Sequence, residues 1–278
     1  KELYKQMNII PKTGSDCEVI IHCCKKYGIT HTLQLLDGVF AFILYDKNTE
    51  NIYIARDTYG IRPLFISTEE DSYLFASEMK SLINIPNRKN KIYQFTPGNC
   101  LKINIKKNIE KIFSFSHCNS FTNYNITCEK DALFAIKHSL INAVKKRVDN
   151  TDREITCLLS GGLDSSLIAA LVNKIMKNKP LHTWSIGLKG SEDLKYAKIV
   201  ADHIGSIHHC IQLEEEEFLN AIGKVIYDIE SYDTTTVRAS VGNWIISKYI
   251  KEQSDAKVVF NGDGSDEQSG YYYLRNAP

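Results

Sequence analysis

The 278-residue sequence has no excess of charge of either sign: 34 Lys and Arg balance 33 Asp and Glu, giving a formal net charge of +1. Such a balance provides no general attraction for nucleic acid or for an anionic membrane surface. No apolar run is long enough to span a bilayer, and no signal peptide is recognisable. The composition therefore predicts neither a nucleic-acid partner nor a membrane partner.

The eight cysteines form no C-x-x-C pair and no Cys/His spacing typical of zinc. Cys157 lies in an apolar, strand-like run and is interpreted as a small core residue. This pattern suits a reducing compartment rather than a disulfide framework, so we expect a cytoplasmic protein. Hydrophobic residues make up 43% of the chain, enough for packed cores, and the length fits two domains.

The pattern of predicted helices and strands divides the chain into two parts. The first part, residues 1–120, combines a helix with short, closely spaced strands and predicts a layered α+β domain. Residues 108–125 are rich in Lys, Ser and Asn without a clear period, and we predict the linker there. The second part, residues 128–278, alternates apolar strands with amphipathic helices, which predicts a doubly wound parallel sheet.

The strongest functional signal is a strand–loop–helix element containing S-G-G-x-D-S, which spans Ser160–Ser166. Gly161 and Gly162 allow a tight turn that exposes backbone N–H groups beside a helix N-terminus, an arrangement that binds phosphate. Ser160, Ser165 and Ser166 can add hydroxyl donors. No Lys follows the loop, so it is not the common G-x-x-x-x-G-K-[ST] element.

Asp164 is unusual in an anion site because its carboxylate repels phosphate unless a Mg²⁺ lies between them, so we predict that Asp164 is a metal ligand. The alternative is a simple Ser or Asp helix cap after a glycine turn. The complete strand–loop–helix context favours phosphate binding.

Two further segments carry candidate site residues. Residues 261–267 place three acids and two glycines directly after the last predicted strand, which fits close approach to a nucleotide and cation binding. An acidic surface turn is the alternative. Thr235 and Thr236 can cap a helix whose first turn carries Arg238, and together these three residues could bind a carboxylate or a phosphate. The alternative is that the Thr pair only caps the helix.

These segments resemble known families. The loop is similar to that of the ATP pyrophosphatase superfamily, and the later segments resemble E-T-Y-D-x-T-T-x-R-A-S and S-G-E-G-S-D-E of asparagine synthetases. The resemblance implies binding of ATP and Mg²⁺, with adenine against the backbones of Leu159 and Ile186. It further assigns nucleotide contacts to Asn261 and Gly262, and the aspartate and phosphate end of the site to Thr235, Thr236 and Arg238. Asp263 replaces the family Glu that supports formation of the β-aspartyl-adenylate, so Asp263 is the predicted catalytic residue.

The first part resembles a class II glutamine amidotransferase in Leu36–Phe42, Ala55–Phe65 and Phe75–Lys80. Thr13–Glu18 is similar to T-G-S-D-x-E, in which the Asp binds the α-amino group of glutamine. Asp16 therefore receives that role by resemblance; on the residues alone it is a candidate helix N-cap. The implied fold is an α/β/β/α layered glutaminase-type remnant followed by an ATP pyrophosphatase-type domain.

Both ends of the chain are expected to be cut, since it begins at Lys1 without Met and stops shortly after Gly270–Tyr273. The family nucleophile is an N-terminal Cys whose own amine is the base, so glutaminase activity is not expected of this chain by itself. We likewise expect that the helical C-terminal part of the family is missing from this sequence.

The implied activity is that of an ATP-dependent ligase that makes asparagine from aspartate and glutamine, or ammonia, and releases AMP and pyrophosphate. Its partners would be these small molecules, and a homodimer is possible. The alternatives are a β-lactam synthetase-like enzyme that adenylates another acid, and a non-catalytic scaffold.

Overall fold

A computed structural model describes residues 2–69, 72–83, 85, 91–106, 109–115, 126–176 and 179–266. The chain divides into two compact units, residues 1–124 and 125–278, and each is described by itself. Within the described ranges no helix is both long and apolar enough to cross a membrane.

The first unit contains two antiparallel sheets and a long helix. Its elements are α1 (Glu2–Met7), α2 (Glu18–Leu35), β1 (Ala41–Asp46), β2 (Asn51–Arg56), β3 (Phe65–Glu69), β4 (Ser72–Ala76), α3 (Lys80–Ile83), β5 (Lys91–Gln94), β6 (Asn99–Asn104) and β7 (Ile109–Ser114). The strand orders are β1-β2-β6-β7 and β4-β3-β5. One core cluster joins Ile54 and Leu101 of the first sheet to Ile66 of the second, and another packs Leu33 of α2 against Ala55 and Cys100. Helix and sheets therefore form successive layers, as expected.

The predicted linker at residues 108–125 is wrong at its start, because Ile109–Ser114 forms β7 and pairs with β6. Phe113 faces the helix-covered side, whereas Ile112 on this edge strand is 65% exposed. Apolar residues on both faces conceal the period-2 pattern that identifies a strand. Residues 116–125 lie outside the described part of the chain.

Gly28 interrupts α2. The sequence predicts a helix from Cys17 to Tyr27 that ends at Gly28, and Gly28 has φ 76° and ψ 167°, which are not helical values. Glycine adopts a positive φ without the steric penalty that a Cβ would bring. The first helical segment thus ends where predicted, and a second continues to Leu35 after this kink.

The second unit is a parallel sheet covered by helices on both faces. Its elements are α4 (Glu129–Asp149), β8 (Ile155–Leu158), α5 (Leu163–Met176), β9 (His182–Leu188), α6 (Glu192–Ile204), β10 (Ile207–Leu213), α7 (Glu215–Ile229), α8 (Thr234–Gln253) and β11 (Val258–Phe260). Core clusters pack α4, α5 and α6 on one face, and α7 and α8 on the other. The predicted doubly wound parallel sheet is confirmed.

The strand order β10-β9-β8-β11 determines where a ligand can bind. From β8 the chain proceeds outward through β9 and β10, then returns to place β11 on the other side of β8. In open sheets of this kind, ligands bind beyond the carboxyl ends of the strands at the point where the order reverses. That point lies between β8 and β11.

Candidate active site

A cavity of about 380 Å³ lies at this switch point. It is lined by Leu158, Ser160, Asp164 and Ser165 from the end of β8 and the start of α5, by residues 261–266 after β11, and by Asn243 of α8. The volume is within the usual range for small-molecule sites. The structure thus brings together most of the residues predicted for the phosphate loop and the acidic segment.

The phosphate loop is held by its own serines. Ser160 N–H donates to Ser165 Oγ (3.2 Å), the two hydroxyl oxygens are 2.9 Å apart, and Gly162 N–H donates to Ser160 Oγ (3.3 Å). Upstream, Leu159 N–H donates to Trp184 O (2.8 Å), which ties the loop to β9. The sequence predicts a helix over Ser165–Met176, whereas α5 begins two residues earlier, at Leu163, so Asp164 and Ser165 lie in its first turn. Their N–H groups point to the helix N-terminus, where an anion is favoured.

Gly161 is required by both conformation and space. Its φ is 85°, and a Cβ there would lie 2.5 Å from Ala197 N and 2.6 Å from the carbonyl carbon of Tyr196. The loop therefore packs directly on the backbone of α6, which no other residue type would allow.

Gly262 brings the second loop to the first. A Cβ at Gly262 would lie 2.8 Å from Ser165 N and 2.9 Å from the carbonyl carbon of Asp164. Its φ is not in the positive region, so close approach, and not conformation, is the reason for glycine here. The acidic segment after β11 consequently rests on the first turn of α5.

Three carboxylates line the cavity: Asp164, Asp263 and Asp266. Ser265 Oγ donates to Asp164 Oδ1 (2.9 Å), and Asn261 Nδ2 donates to Asp263 Oδ2. Within the described residues no group of three or more His, Cys, Asp or Glu side chains could hold a metal ion. Mg²⁺ commonly binds one or two carboxylates together with substrate phosphates, so the donor set around Asp164 fits that ion. Glu267 lies outside the described residues.

Ser166 is placed differently from its neighbours. Its Oγ is buried and has no hydrogen-bond partner in the described part of the chain. A buried hydroxyl without a partner is costly, which agrees with an absent acceptor such as a phosphate oxygen. Ser166 does not line the cavity, however, so its predicted phosphate contact remains a prediction.

The start of α8 corrects the predicted capping. Asp233, and not the Thr pair, is the N-cap: its carboxylate accepts from Thr236 N–H and from Thr236 Oγ1, both at 2.8 Å. The Thr236 N–H bond, followed by the hydroxyl bond, lowers the pKa of Asp233. Thr235 and Arg238 are exposed and, like Thr236, do not line the cavity. Thr236 and Arg238 are two positions apart on the helix and do not share a face, whereas Thr235 and Arg238 do.

Of the residues predicted to contact adenine, Leu159 directly follows β8 and Ile186 lies within β9. Leu159 is 1% exposed, and a Cβ on Gly242 of α8 would touch Ile186 Cγ2 at 4.0 Å. Both side chains belong to core clusters, so only their backbones are free for a ligand. Their nucleotide contacts remain predictions.

The sequence reasoning did not find Leu158, Ser265 or Asn243 as cavity residues. Asn243 follows Thr236 by seven positions, which places both on one face of α8. Because Thr236 itself does not line the cavity, that spacing gave no signal for Asn243. Ser265 lies inside the quoted acidic segment, but nothing there indicated its hydrogen bond to Asp164.

In the first unit, the loop before α2 is organised by Glu18. Its carboxylate accepts from Lys12 N–H (2.9 Å), Thr13 N–H (2.7 Å) and Thr13 Oγ1 (2.6 Å). The Thr13 hydroxyl contributes most to a pKa of about 2 for Glu18. Asp16 is not the helix N-cap: that position is Cys17, which makes no side-chain cap bond. The exposed Asp16 carboxylate accepts from the Cys17 thiol at 3.6 Å, and its glutamine-binding role stays a prediction.

The A-R-D-T-Y-G-I-R-P-L-F segment has a structural basis. The buried Arg56 guanidinium donates to the carbonyls of Gly60, Arg62 and Phe95 at 2.6–2.7 Å. The neighbouring Asp57 carboxylate accepts from backbone N–H groups of the same loop. This pair fixes the turn between β2 and β3.

Comparisons with known proteins agree with this organisation. The asparagine synthase family profile matches residues 135–278, and the glutamine amidotransferase domain profile matches residues 1–130. The chain thus joins an amidotransferase domain to a synthetase domain with a phosphate loop at its switch point. It belongs to the asparagine synthase family.

Curated relatives support the same family along the whole chain. The asparagine synthetases (glutamine-hydrolyzing) of Pongo abelii and Homo sapiens are 41% identical to this chain, and that of Bos taurus is 42% identical. Each of these matches covers 100% of this chain and 54% of the relative. The chain spans about half the length of these relatives. Among solved structures, the glutamine phosphoribosylpyrophosphate amidotransferase from B. subtilis matches 95% of this chain and 68% of its own chain. The two are 16% identical with a TM-score of 0.37, which is too low to carry an argument.

Proposed function

We propose that the second unit catalyses adenylation of the aspartate side-chain carboxylate by ATP, as the first step of asparagine synthesis. The observation that carries this proposal is the contact of Gly262 with Asp164 and Ser165, which joins the phosphate loop and the acidic loop in one cavity. Family membership supplies the substrate class, since the relatives are asparagine synthetases.

The proposed step is a displacement at the α-phosphorus. A carboxylate oxygen of aspartate forms a bond to that phosphorus, the bond to the β-phosphate bridging oxygen breaks, and pyrophosphate leaves. The backbone N–H groups and hydroxyls of Ser160 and Ser165 would hold the leaving pyrophosphate in position. Because little covalent chemistry is required of the protein, positioning and charge stabilisation supply most of the acceleration.

The second step would release AMP. Ammonia attacks the acyl carbon of the β-aspartyl-adenylate, the C–N bond forms, the bond to the AMP oxygen breaks, and the nitrogen loses a proton. Asp263 lines the cavity, and its carboxylate accepts a hydrogen bond from Asn261. We assign Asp263 to electrostatic support of adenylation.

Magnesium, when bound, would neutralise charge on the phosphates. Asp164 would hold it, and the hydrogen bond from Ser265 Oγ to one oxygen of that carboxylate supports this role. Such second contacts fix the geometry of a metal ligand.

In a protein that also carries the N-terminal Cys nucleophile, a first unit of this kind would supply ammonia from glutamine. Its match to the glutamine amidotransferase domain and the exposed Asp16 carboxylate beside the Glu18-organised loop support this role. The cytoplasmic location and the possible homodimer remain predictions.

The decisive experiment measures pyrophosphate release from ATP by this chain with ammonia supplied. Release that depends on aspartate supports the proposal. Release with bulkier β-amino acids but not aspartate would favour the β-lactam alternative, to which the comparisons lend no support. If no acid causes release of pyrophosphate from ATP, the result would favour the scaffold alternative.

A further inference from the structure

Two histidines on neighbouring strands of the second unit are joined by a direct hydrogen bond. His182 Nδ1, at the start of β9, lies 2.9 Å from His209 Nε2 in β10, and the two ring planes differ by 16°. An N–H of one imidazole donates to the bare nitrogen of the other. The bond therefore requires that at least one of the two rings is neutral.

The pair is connected to the phosphate loop through Trp184. The His209 ring stacks on the Trp184 indole, with centroids 4.0 Å apart and planes that differ by 13°. The same two residues are register partners in the parallel pairing of β9 with β10. The Trp184 carbonyl accepts from the N–H of Leu159 at 2.8 Å, and Leu159 directly precedes Ser160 of the loop. A shift of β10 against β9 would therefore act on the strand that supports the loop.

The position of β10 depends on β9, because among the described strands β10 is an edge strand that pairs with β9 alone. The other face of the two strands carries His208, whose ring nitrogens contact the hydroxyls of Thr183 and Ser185 at 3.0 Å. A hydroxyl can turn to accept from an imidazolium, so these contacts can persist in acid. The bond between His182 and His209 has no such freedom and breaks when both rings are charged.

From this arrangement we propose that the His182–His209 pair is an acid-sensitive latch, which holds β10 against β9 at neutral pH and releases it when both rings are protonated. Two like charges in contact repel, and a half-buried imidazolium loses hydration. Release would withdraw His209 from Trp184 and weaken nucleotide binding at the phosphate loop. This consequence rests on the proposed adenylation function.

The surroundings of His209 determine the direction of the switch. Burial lowers its pKa from the ordinary value of 6.5, and the charge of a protonated His182 lowers the pKa further. Because the folded pKa lies below the unfolded value, the latch is closed above about pH 6.5 and opens as the pH falls below that value.

The elements packed around the pair bring few charges among the described residues. On the α8 side, the titratable group in the cluster around Trp184 is the phenol of Tyr249. On β8, the register partner of His182 is the uncharged Thr156, whose hydroxyl donates to the His182 carbonyl. Charged or titratable groups on the opposite face and at the exposed starts of the strands are His208 with Lys198 and Asp202 of α6, and Glu154, Lys179, His203, Asp255 and Lys257.

The first test follows the fluorescence of Trp184 between pH 7.5 and 5 in a Trp244→Phe background, which removes the other of the two tryptophans. A protonated imidazole quenches a stacked indole more strongly than a neutral one. The parent should lose intensity as His209 becomes charged, and His209→Gln should lack this step. His182→Asn removes the repelling charge, so its step should move to higher pH. His138→Gln, at an exposed position of α4, is the matched control and should behave as the parent does.

The second test measures binding of Mg²⁺-ATP by calorimetry at pH 7.5 and pH 5, with circular dichroism confirming that the chain is folded at both. In His182→Asn the new amide can donate or accept, so its bond to His209 survives protonation of that ring. Protonation of the ATP phosphates weakens binding in every variant alike. The parent should therefore lose about tenfold more affinity than His182→Asn between the two pH values.

The outcomes separate this inference from the proposed function. If the parent does not bind ATP at pH 7.5, the proposed function fails, and the effect of the latch on nucleotide binding fails with it. If the parent binds ATP at pH 7.5, an equal loss of affinity at pH 5 in the parent and in His182→Asn would overturn the latch alone. A fluorescence step at the same pH in both would show that the two rings are not coupled, and would also overturn the latch.

Discussion

Replacing Gly262 with Ala tests whether contact between the two loops creates the site. The added Cβ would meet Ser165 N at 2.8 Å, Asp164 C at 2.9 Å and Asp164 Cβ at 3.0 Å. Ordinary contact begins at 3.4 Å, so the closest pair alone requires a retreat of about 0.6 Å. The opposing atoms belong to the first turn of α5 and are not the ends of flexible side chains, so the loop after β11 must move.

The size of that movement sets the expected effect. A misplacement of about 1 Å in a catalytic constellation can cost roughly 10²-fold in rate. A retreat of about 0.6 Å should therefore lower aspartate-dependent pyrophosphate release by about 10- to 100-fold. Overpacking of one methyl group typically costs about 1–3 kcal/mol of unfolding free energy. Urea unfolding should show a loss in that range, with the chain still folded at room temperature.

The control is Gly223→Ala in the interior of α7, where an added Cβ has no heavy atom within 4 Å. It should leave the rate unchanged and raise the unfolding free energy by up to about 1 kcal/mol, because Ala is the better helix former. A parental rate in Gly262→Ala would refute the view that this contact builds the active site.

Three further predictions concern charged and titratable groups. Asp164→Asn should abolish the Mg²⁺ dependence of ATP binding and lower pyrophosphate release about 100-fold or more; retention of both would remove Asp164 from the metal site. Asp263→Ala should lower kcat by about 10²-fold and change the ATP affinity little. Asp263→Glu introduces the residue of the family motif and should have a kcat equal to that of the parent or higher. Near-parental rates in both variants would make this loop a surface turn. His208, whose two ring nitrogens contact the hydroxyls of Thr183 and Ser185 at 3.0 Å, has its pKa lowered from 6.5, mainly by burial. Because the folded pKa lies below the unfolded value, its contribution to stability is complete above about pH 6.5 and is lost as the pH falls. Urea unfolding from pH 7.5 to 5 should show this slope, and a His208→Asn variant with an equal slope would contradict it.

Two strands, Asn51–Arg56 and Ile207–Leu213, have the bounds that the sequence predicts. Asn51–Arg56 is mostly buried and follows the turn-prone Asp46–Asn48, so local composition and tertiary burial favour the same state. Ile207–Leu213 was predictable from the strand–helix alternation of the second part, although it is a partly exposed edge strand.

Elements that depend on neighbours were less predictable. Among the described residues the edge strand β7 pairs with β6 alone, and one of its faces is exposed, so its composition resembles a linker. At the start of α8, Asp233 precedes three consecutive Thr residues, each a good cap by type. Only the backbone decides among them: Asp233 has φ −62° and ψ 126°, outside the helical region, and its carboxylate reaches Thr236.

The position of the acidic loop shows what the sequence could not supply. The motifs identified Ser160–Ser166 and residues 261–267 separately, about a hundred positions apart. Had the sheet followed chain order, β11 would lie three strand spacings from β8, about 14 Å away. Asp263 could not then share a cavity with the phosphate loop. Because β11 instead pairs with β8, through Val258↔Ile155 and Phe260↔Cys157, the two motifs end side by side. The proposed adenylation site is therefore a consequence of strand order, and Gly262 completes it by allowing the close approach of the two loops.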